Sequence, residues 1–418
     1  MTAPPLESSR INSFSRACVH GKERAIARAW SALVRNGVPL IEAIPGNRDD
    51  VLVTFVWRPA HAGRAASVFT TAAESTREGA AMRLIPRAGV WYRSLQLSRS
   101  VRACYRFSPR PFPGWDADDR ELGRYMQSLR PDPLNARRFV LPKSPDDPDT
   151  LDTLSVIELP GAAAQRWLRT PPSPTYHEEH HRLSSRFLPG ERSVWVNLPA
   201  EFDPSRRRYH LLVVFDGLLC RQAIPVPTIV ENLVRARRIG PTVVALVGNG
   251  PHARFPELGG NPRFVEFLGR ELVPWLVRKY RLSVDARKVV LAGSSLGGLT
   301  AAYAALRYPR LFGNVLAQSG SFPWPCADAR GRRTSLMDLY ARSPKLPLRF
   351  YLDTGKLETT AIPEWGGVSQ LAGVRHMRDV LVAKGYPVTY AEFDGGHDYV
   401  CWASTFADGL LSLLGRLV

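Results

Sequence analysis

The sequence predicts a two-part protein, a small β-sandwich followed by an α/β domain with a doubly wound, mostly parallel sheet. Between residues 50 and 110, short strand patterns follow one another with turn residues between them and no strong helix. After residue 176, strand and helix patterns alternate, which is typical of a parallel sheet covered by helices. Between the two regions, proline and aspartate recur over 109–175, as in a long connection.

The composition agrees with two globular domains and suggests an anionic partner. The chain has 418 residues, of which 44% are hydrophobic and 22% charged, enough to bury a sizeable core. Its formal net charge of +18 favours an anionic ligand, with an arginine-rich composition as the equally weighted alternative. The densest basic run, Arg206–Arg208, has no interleaved aromatic residues. No nucleic-acid-binding module is recognisable, so we expect no nucleic-acid partner.

The cysteines and the N-terminus indicate a reducing compartment. Five cysteines stand at wide spacings without a CxxC motif, which argues against a disulfide framework or a zinc ribbon. The N-terminus lacks the apolar segment of a secretory signal, and no stretch approaches the roughly 20 apolar residues of a membrane span. We therefore expect a cytoplasmic protein that does not enter a membrane.

The N-terminal part is predicted to hold two regions. Residues 1–44 form a helical or flexible segment, in which 1–20 look weakly ordered and 21–36 have apolar residues at helical spacing. The sandwich with its loop-rich connection spans 45–175, and 170–175 is the best linker candidate. Its predicted strands are DVLVTFVWR, AASVFTTA and VWYRSLQL.

The second domain is predicted over 176–418. The apolar run at 241–249 is typical of a strand buried on both faces, and an amphipathic helix over 261–280 follows, with Asn261 as its cap and Pro262 in its first turn. The other predicted elements are the strands RSVWVNLP, YHLLVVFD, RKVVLAG, NVLAQSG, PLRFYLD and VTYAEF and the helices LGGLTAAYAALR and GVSQLAGVRHMRDVLVAKG.

A G-x-S-x-G motif at residues 293–297 predicts a nucleophile. It stands between the strand KVVLAG and the helix that begins at once after it, as a nucleophile elbow requires. Ser295 is then the nucleophile at a helix N-terminus, where the helix dipole favours developing negative charge. This context predicts an α/β-hydrolase fold and a serine hydrolase that needs no cofactor and no metal; a glycine-rich packing turn is the alternative.

A serine nucleophile needs a base and an acid. In this fold the histidine follows the last strand, and His397 occupies that place in a glycine-containing loop after VTYAEF. The acid is expected after the strand PLRFYLD. Glu358 is the favoured residue because it lies beyond Gly355, whereas Asp353 lies within the strand and Glu364 is a weaker alternative. Asp398 adjoins the histidine and is discounted.

Backbone amides supply the predicted oxyanion hole. One is the amide of Leu296, directly after the nucleophile, and the other belongs to Gly217 or Leu218 in the loop after the strand YHLLVVFD. Asp216 either braces this loop or is a simple turn residue.

One competing motif points to zinc. His177–His181, HEEHH, satisfies H-E-x-x-H, which binds zinc when both histidines share one face of a helix. A proline-rich linker precedes it and strand-like sequence follows, so we interpret it as a polar edge strand or linker.

Several segments together resemble a known family. The stretch GSSLGGLTAAYAALRYPRLFGNVLAQSGSFPW, then DGGHDYVCW, the FDG loop, RFPELGGNPRFVEFLGRELVPWL and DPLN at 132–135 are similar to those of enterochelin (ferric enterobactin) esterases. The N-terminal strands VTFVWR, VWYRS and YRF resemble that family's N-terminal domain, so the likeness spans about 50–415. Feruloyl esterases and mycolyl transferases share only the hydrolase half.

The resemblance implies a cytoplasmic esterase that opens a catecholate trilactone siderophore and releases its iron. It supports Ser295, His397 and Glu358 in their roles, although the segment TGKLETTAIPEWGG around Glu358 departs from the family pattern. A ferric tris-catecholate is a trianion, so Arg254 is a candidate anion contact. Trp324 and Trp402 are candidate pocket walls for an aromatic acyl group. A surface arginine and two core tryptophans are the alternatives.

Overall fold

A computed structural model describes residues 7–59, 65–73, 76–142, 153–171, 173, 175–206, 209–282, 285–328 and 330–415. Arg207 and Arg208 of the basic run lie outside these ranges. The chain forms two compact units. The first contains 1–140, 151–163 and 394–400, and the second contains 141–150, 164–393 and 401–418. The sequence-based boundaries at 44 and 175 stay predictions.

The first unit is built on two four-stranded antiparallel sheets, in the orders β1-β2-β5-β4 and β3-β6-β8-β7. A short 3₁₀ turn at Pro86–Ala88 precedes β5. The strands are β1 (Leu40–Ile44), β2 (Asn47–Trp57), β3 (Ser67–Thr70), β4 (Arg83–Ile85), β5 (Val90–Ser98), β6 (Arg102–Ser108), β7 (Arg138–Val140) and β8 (Thr153–Glu158). The helices are α1 (Ser9–His20), α2 (Glu23–Val34), α3 (Arg77–Ala80) and α4 (Asp119–Ser128).

Aromatic residues hold the two sheets face to face. Phe55 on β2 meets Tyr105 on β6 with ring centroids 4.9 Å apart, and Trp57 stacks on Phe107 at 5.4 Å. Alternate residues of each strand point to this interior, which is how two sheets share one core. The predicted β-sandwich is therefore confirmed.

The first helix corrects the expectation for residues 1–20. Weak order was predicted there, but Ser9–His20 is helical. Ser8 caps it by accepting a hydrogen bond from the Ile11 amide, and Ile11, Phe14 and Cys18 are buried along one stripe. That stripe packs with residues of α2 in a small core beside the sandwich. For Ser9–His20 the prediction was wrong, because the buried apolar residues recur at helical spacing.

The second unit is built on an eight-stranded sheet with the order β20-β17-β14-β13-β11-β12-β10-β9. The strands are β9 (His177–Ser184), β10 (Glu191–Leu198), β11 (His210–Val214), β12 (Thr242–Val247), β13 (Val289–Ser294), β14 (Asn314–Gln318), β17 (Arg349–Gly355) and β20 (Val388–Phe393), besides the short pairs β15 (Pro325–Ala327) with β16 (Arg333–Ser335) and β18 (Ala361–Ile362) with β19 (Val368–Ser369). The helices are α5 (Gly217–Gln222), α6 (Val226–Arg235), α7 (Arg254–Leu258), α8 (Pro262–Phe267), α9 (Val273–Tyr280), α10 (Leu296–Arg307), α11 (Leu336–Arg342), α12 (Gln370–Ala383) and α13 (Tyr399–Leu414), with 3₁₀ turns at Arg166–Leu168, Ala286–Lys288 and Pro363–Trp365.

Six of these eight strands pair in parallel, while β9 and β10 are antiparallel at one edge. Every residue of β12 and of β14 is buried, so both faces of the sheet are covered. The carboxyl ends of parallel strands meet at one edge of a sheet, where α/β proteins place their ligands. The predicted doubly wound fold is confirmed, and this edge is where its site is expected.

The helix predicted over 261–280 is continuous but contains a π-helical turn. Asn261 caps it through the Arg263 amide, as predicted, and the chain passes from α8 through the π turn Leu268–Leu272 into α9. Pro274 has no backbone N–H and cannot complete the α-helical ladder there, which explains the wider turn. Among the described helices, none is both long and apolar enough to cross a bilayer.

Candidate active site

Ser295 lies in a strained backbone conformation between β13 and α10. Its φ and ψ are 57° and −122°, a region that costs about 1–3 kcal/mol for a residue with a side chain. The turn is possible because Gly293 has no side chain: a Cβ there would lie 2.6 Å from the carbonyl carbon of Gly297. The half-buried serine thus tops a sharp strand-to-helix turn, the geometry of a nucleophile elbow.

The neighbouring strand ends fix the position of this elbow. The Ser295 amide donates to the carbonyl of Gln318 at the end of β14, and the Ser321 amide donates to the Ser295 carbonyl. The Ser321 hydroxyl lies 3.4 Å from the Ser295 hydroxyl. The reactive oxygen therefore stands in a polar setting at the carboxyl edge of the sheet, held on both sides of its backbone.

Both proposed oxyanion segments lie at helix N-termini. Leu296 is the first residue of α10 and Gly217 the first of α5, followed by Leu218. Asp216 precedes Gly217 with a left-handed φ of 54°. A Cβ on Gly217 would lie 2.7 Å from the Val247 backbone, so glycine is required at this crossing. These contacts bring the loop of Gly217 to the end of β12.

Arg254 braces that loop. Its guanidinium donates two hydrogen bonds to Asp216, at 2.7 and 2.9 Å, in the fork geometry that suits a carboxylate. Asp216 thus has the bracing role considered from the sequence, and Arg254 is its partner. Phe255 beside it is 61% exposed, and no sequence pattern had singled it out.

The two tryptophans differ in exposure. Trp324 is half-buried, and its indole N–H donates to the Gly259 carbonyl at 3.0 Å. Trp402 is 4% exposed, and its indole N–H donates to the Ser319 hydroxyl at 3.0 Å. The burial of Trp402 agrees with the core position that the sequence left open as its alternative, and its role as a pocket wall stays a prediction. Trp324 stays a candidate pocket wall.

Glu358 is a buried carboxylate at the edge where Ser295 lies. Its Oε1 accepts hydrogen bonds from the Ser319 hydroxyl and the Gly355 amide, both at 2.6 Å. The segment Gly355–Glu358 is named here the acid loop. Ser319, which directly follows β14, has a left-handed φ of 44° and is itself held by Trp402. Sequence reasoning missed Ser319 because no local motif marks it.

The two alternative acids have other environments. Asp353 is within β17, as expected, and is completely buried. Burial raises the pKa of Asp353 to about 7, and the nearby Glu358 carboxylate acts in the same direction. Glu364 is exposed in the 3₁₀ turn Pro363–Trp365. A group that is half protonated near neutral pH is a poor partner for stabilising an imidazolium, which favours Glu358.

His397 lies in the segment Asp394–Val400, named here the histidine loop, which groups with the first unit. The His397 side chain is exposed, while Gly395, Gly396 and Asp398 around it are buried. The loop leaves β20 after Phe393, whose carbonyl accepts from the Lys356 amide of the acid loop.

The HEEHH segment forms β9 at the edge of the sheet, as interpreted from the sequence. In a strand, successive side chains point to opposite faces, so the helical spacing of a zinc protease is absent. His180 stacks on Trp195 and contacts Ser193, while His181 bonds Tyr280. Within the described ranges, no cluster of His, Cys, Asp and Glu has a metal-binding arrangement.

A strained serine between a parallel strand and a helix, at the carboxyl edge of such a sheet, is the nucleophile-elbow arrangement of the α/β-hydrolase class. A family model described as "Putative esterase" matches residues 185–413, and one described as "Enterochelin esterase, N-terminal" matches 52–168. The chain belongs to the enterochelin esterase family, and it is a carboxylic ester hydrolase.

Characterised relatives match along most of their length. The iron(III) enterobactin esterase of Dickeya dadantii is 27% identical over 92% of both chains, and the iron(III) salmochelin esterase of Escherichia coli O6:H1 is 28% identical over 97% of this chain and 98% of its own. The crystal structure of ferric enterobactin esterase from Salmonella typhimurium has a TM-score of 0.73 at 26% identity, covering 92% of this chain and 98% of its own. The Shigella flexneri enterobactin esterase in the presence of enterobactin gives 0.71 at 26% identity, covering 94% and 98%.

Proposed function

We propose that this protein hydrolyses the ester bonds of a catecholate trilactone siderophore, such as ferric enterobactin, and so releases iron in the cytoplasm. The observation that carries the proposal is the strained Ser295 elbow in a chain whose two halves both match enterochelin esterase relatives. The relatives named for enterobactin and salmochelin cover nearly their whole length, which supports a shared substrate class.

The reaction follows from the chemistry of the residues. His397 takes the proton from the Ser295 hydroxyl as its oxygen attacks a lactone carbonyl. The amide of Leu296, with that of Gly217 or Leu218, binds the oxyanion, a contribution of about 3 kcal/mol for each donor. The ester oxygen leaves with the proton held by His397. Water, activated by His397, then attacks the acyl-enzyme and frees Ser295.

Glu358 supports the base in this proposal. A carboxylate beside the imidazole holds its tautomer and stabilises the imidazolium that forms. The Ser319 hydroxyl and the Gly355 amide hold Glu358 at the carboxyl edge of the sheet. Within the second unit, the Phe393 carbonyl accepts from the Lys356 amide, and the Trp402 indole N–H donates to the Ser319 hydroxyl.

The substrate's charge agrees with the protein's. A ferric tris-catecholate carries three negative charges and the chain +18, so long-range attraction favours their encounter. We propose that the Arg254 guanidinium, which braces the Gly217 loop through Asp216, contacts the anion. Trp324 is proposed to stack on an aromatic acyl group.

Product analysis tests the proposal. Ferric and iron-free enterobactin are incubated with the wild type and with Ser295→Ala, and the linear trimer, dimer and monomer are separated by chromatography. We expect hydrolysis by the wild type and a loss of about 10⁴-fold or more in the variant. A feruloyl ester assayed alongside addresses the alternative substrate: faster turnover of that ester than of both trilactones would overturn the siderophore assignment. Full hydrolysis by the variant would overturn Ser295 as nucleophile.

A fluorophosphonate probe addresses the third possibility, a binding protein without catalysis. We expect covalent labelling of the peptide that carries Ser295, located by mass spectrometry after digestion. The Ser295→Ala variant is the matched control. An unlabelled wild-type protein would favour a binding role.

A further inference from the structure

The histidine loop combines buried anchors with one exposed side chain. Asp398 is 3% exposed and lies directly after the exposed His397. A carboxylate is buried only where donors compensate for the lost water. The partners of Asp398 therefore identify what fixes the loop.

Two of those partners come from the sandwich. The Thr71 hydroxyl and the Cys104 amide both donate to Asp398 Oδ2, the latter at 2.5 Å. Thr71 follows β3 and Cys104 lies within β6, and the two are joined by a hydrogen bond from the Thr71 amide to the Cys104 carbonyl. The third donor, the Val400 amide, reaches Oδ1 from within the loop at 3.2 Å.

Other residues of the histidine loop are also bound by the sandwich. The Ser100 hydroxyl donates to Asp394 Oδ2 at 2.8 Å, and the Arg102 amide donates to the Asp394 carbonyl at 3.4 Å. Gly396 passes so close to the Thr71 carbonyl that a Cβ there would collide with it. The loop is thus fixed on both sides of His397 by backbone and side chains of the sandwich.

We propose that the N-terminal sandwich positions the catalytic base, with Thr71 and Asp398 as positioning residues. The inference rests on the proposed function, because it takes His397 as the base. A displacement of about 1 Å in a reacting group can lower a rate about a hundredfold, so the anchors of a glycine-containing loop bear directly on turnover. The sandwich then serves catalysis itself, besides any contact that it makes with substrate.

Thr71 offers a matched pair of variants. Thr71→Val keeps the branched shape and removes the hydroxyl donor, whereas Thr71→Ser keeps the donor. With p-nitrophenyl butyrate as substrate, we expect Thr71→Val to lower kcat about tenfold and to change KM less than about twofold, while Thr71→Ser stays within about twofold of wild type. Thermal unfolding of each variant ensures that assays run well below its midpoint. Equal kcat in the valine variant and the wild type would overturn the proposal.

Asp398→Asn tests the acceptor. An amide has one acceptor oxygen and one donor nitrogen, so either the Cys104 amide or the Val400 amide must face an NH₂ group. Both are backbone donors and cannot rotate away. We expect a loss in kcat greater than that of Thr71→Val.

Combination with His397→Ala separates positioning from general damage. If Thr71 and Asp398 act through the base, neither substitution lowers the residual rate of His397→Ala further. A further tenfold loss in that background would overturn the positioning role. If His397→Ala alone retains wild-type activity, the proposed function fails; if it is inactive while Thr71→Val and Asp398→Asn are fully active, only this inference fails.

Discussion

The acid loop and the histidine loop are held in place by different parts of the chain. Glu358 is fixed by the Gly355 amide three residues away and by Ser319 at the end of the adjacent strand. Asp398 is fixed by Thr71 and Cys104, which precede it by 327 and 294 residues. The first arrangement belongs to the α/β sheet alone. The second depends on the sandwich.

This difference shows that the residues of one proposed active site can be held in place by different parts of the chain. A sheet edge brings strand ends together in any protein with this topology, so an acid at that edge comes with the fold. A loop beyond the last strand has no such framework and must find its anchors elsewhere. We therefore expect substitutions around the histidine loop and around the acid loop to differ in their effects on kcat.

The largest effect is expected for the base itself. His397→Ala removes the group that accepts the Ser295 proton, and we expect kcat/KM to fall by about 10⁴-fold or more. The ester assay described above measures it, with His376→Ala, a histidine on the exposed side of α12, as a control that stays near wild type. A small loss of kcat/KM would contradict this prediction, because the histidine loop would then not contain the catalytic base.

The next effect separates the two carboxyl groups near the acid loop. Glu358→Gln keeps the shape but removes the negative charge that stabilises the imidazolium, so we expect kcat to fall by about 10²- to 10⁴-fold. For Asp353→Asn, a few residues earlier on β17, we expect kcat to fall by less than about tenfold. Steady-state kinetics at pH 8 compares them. A larger loss in the asparagine variant would make Asp353 the acid.

A smaller effect is expected from the support of Glu358. Trp402→Phe keeps the ring in the core and removes the indole N–H that donates to Ser319. We expect kcat to fall about threefold to tenfold, because Ser319 keeps its bond to Glu358 but loses its own orientation. Trp30→Phe, in the small core beside the sandwich, is the control for the replacement of an indole by a phenyl ring. Equal kcat in Trp402→Phe and the wild type would show that Ser319 supports Glu358 without the indole donor.

The last prediction concerns stability. Because burial raises the folded-state pKa of Asp353 to about 7, the folded protein binds this proton more tightly than the unfolded chain, whose pKa is about 3.9. The stabilisation that comes from this bound proton is fully present below pH 4 and is lost as pH rises toward 7. We expect the free energy of unfolding of Asp353→Asn, relative to wild type, to improve by up to about 1.4 kcal/mol per pH unit between those values. Urea unfolding at pH 5, 6, 7 and 8 measures this difference; a constant one contradicts the shift.

The sequence predicts most of the fold because its signals are local. The run at 241–249 became β12, G-x-S-x-G became a strained turn, and HEEHH became an edge strand. The supports of the site could not be predicted in the same way. Ser319, Trp402 and Thr71 acquire partners through tertiary packing, and no spacing in the sequence records which hydroxyl meets which carboxylate. The helix at Ser9–His20 was predictable from the sequence, since its buried residues recur at helical spacing.

The five cysteines have a practical consequence for labelling. All are buried. Burial raises the pKa of Cys18 and of Cys220, and that of Cys326 to about 12, so little thiolate is present at neutral pH. Since the thiolate is the reactive form, we expect the buried thiols of the folded protein to react slowly with maleimides and iodoacetamides. A single cysteine introduced at an exposed position will therefore take up a spectroscopic probe selectively, without prior removal of the native thiols.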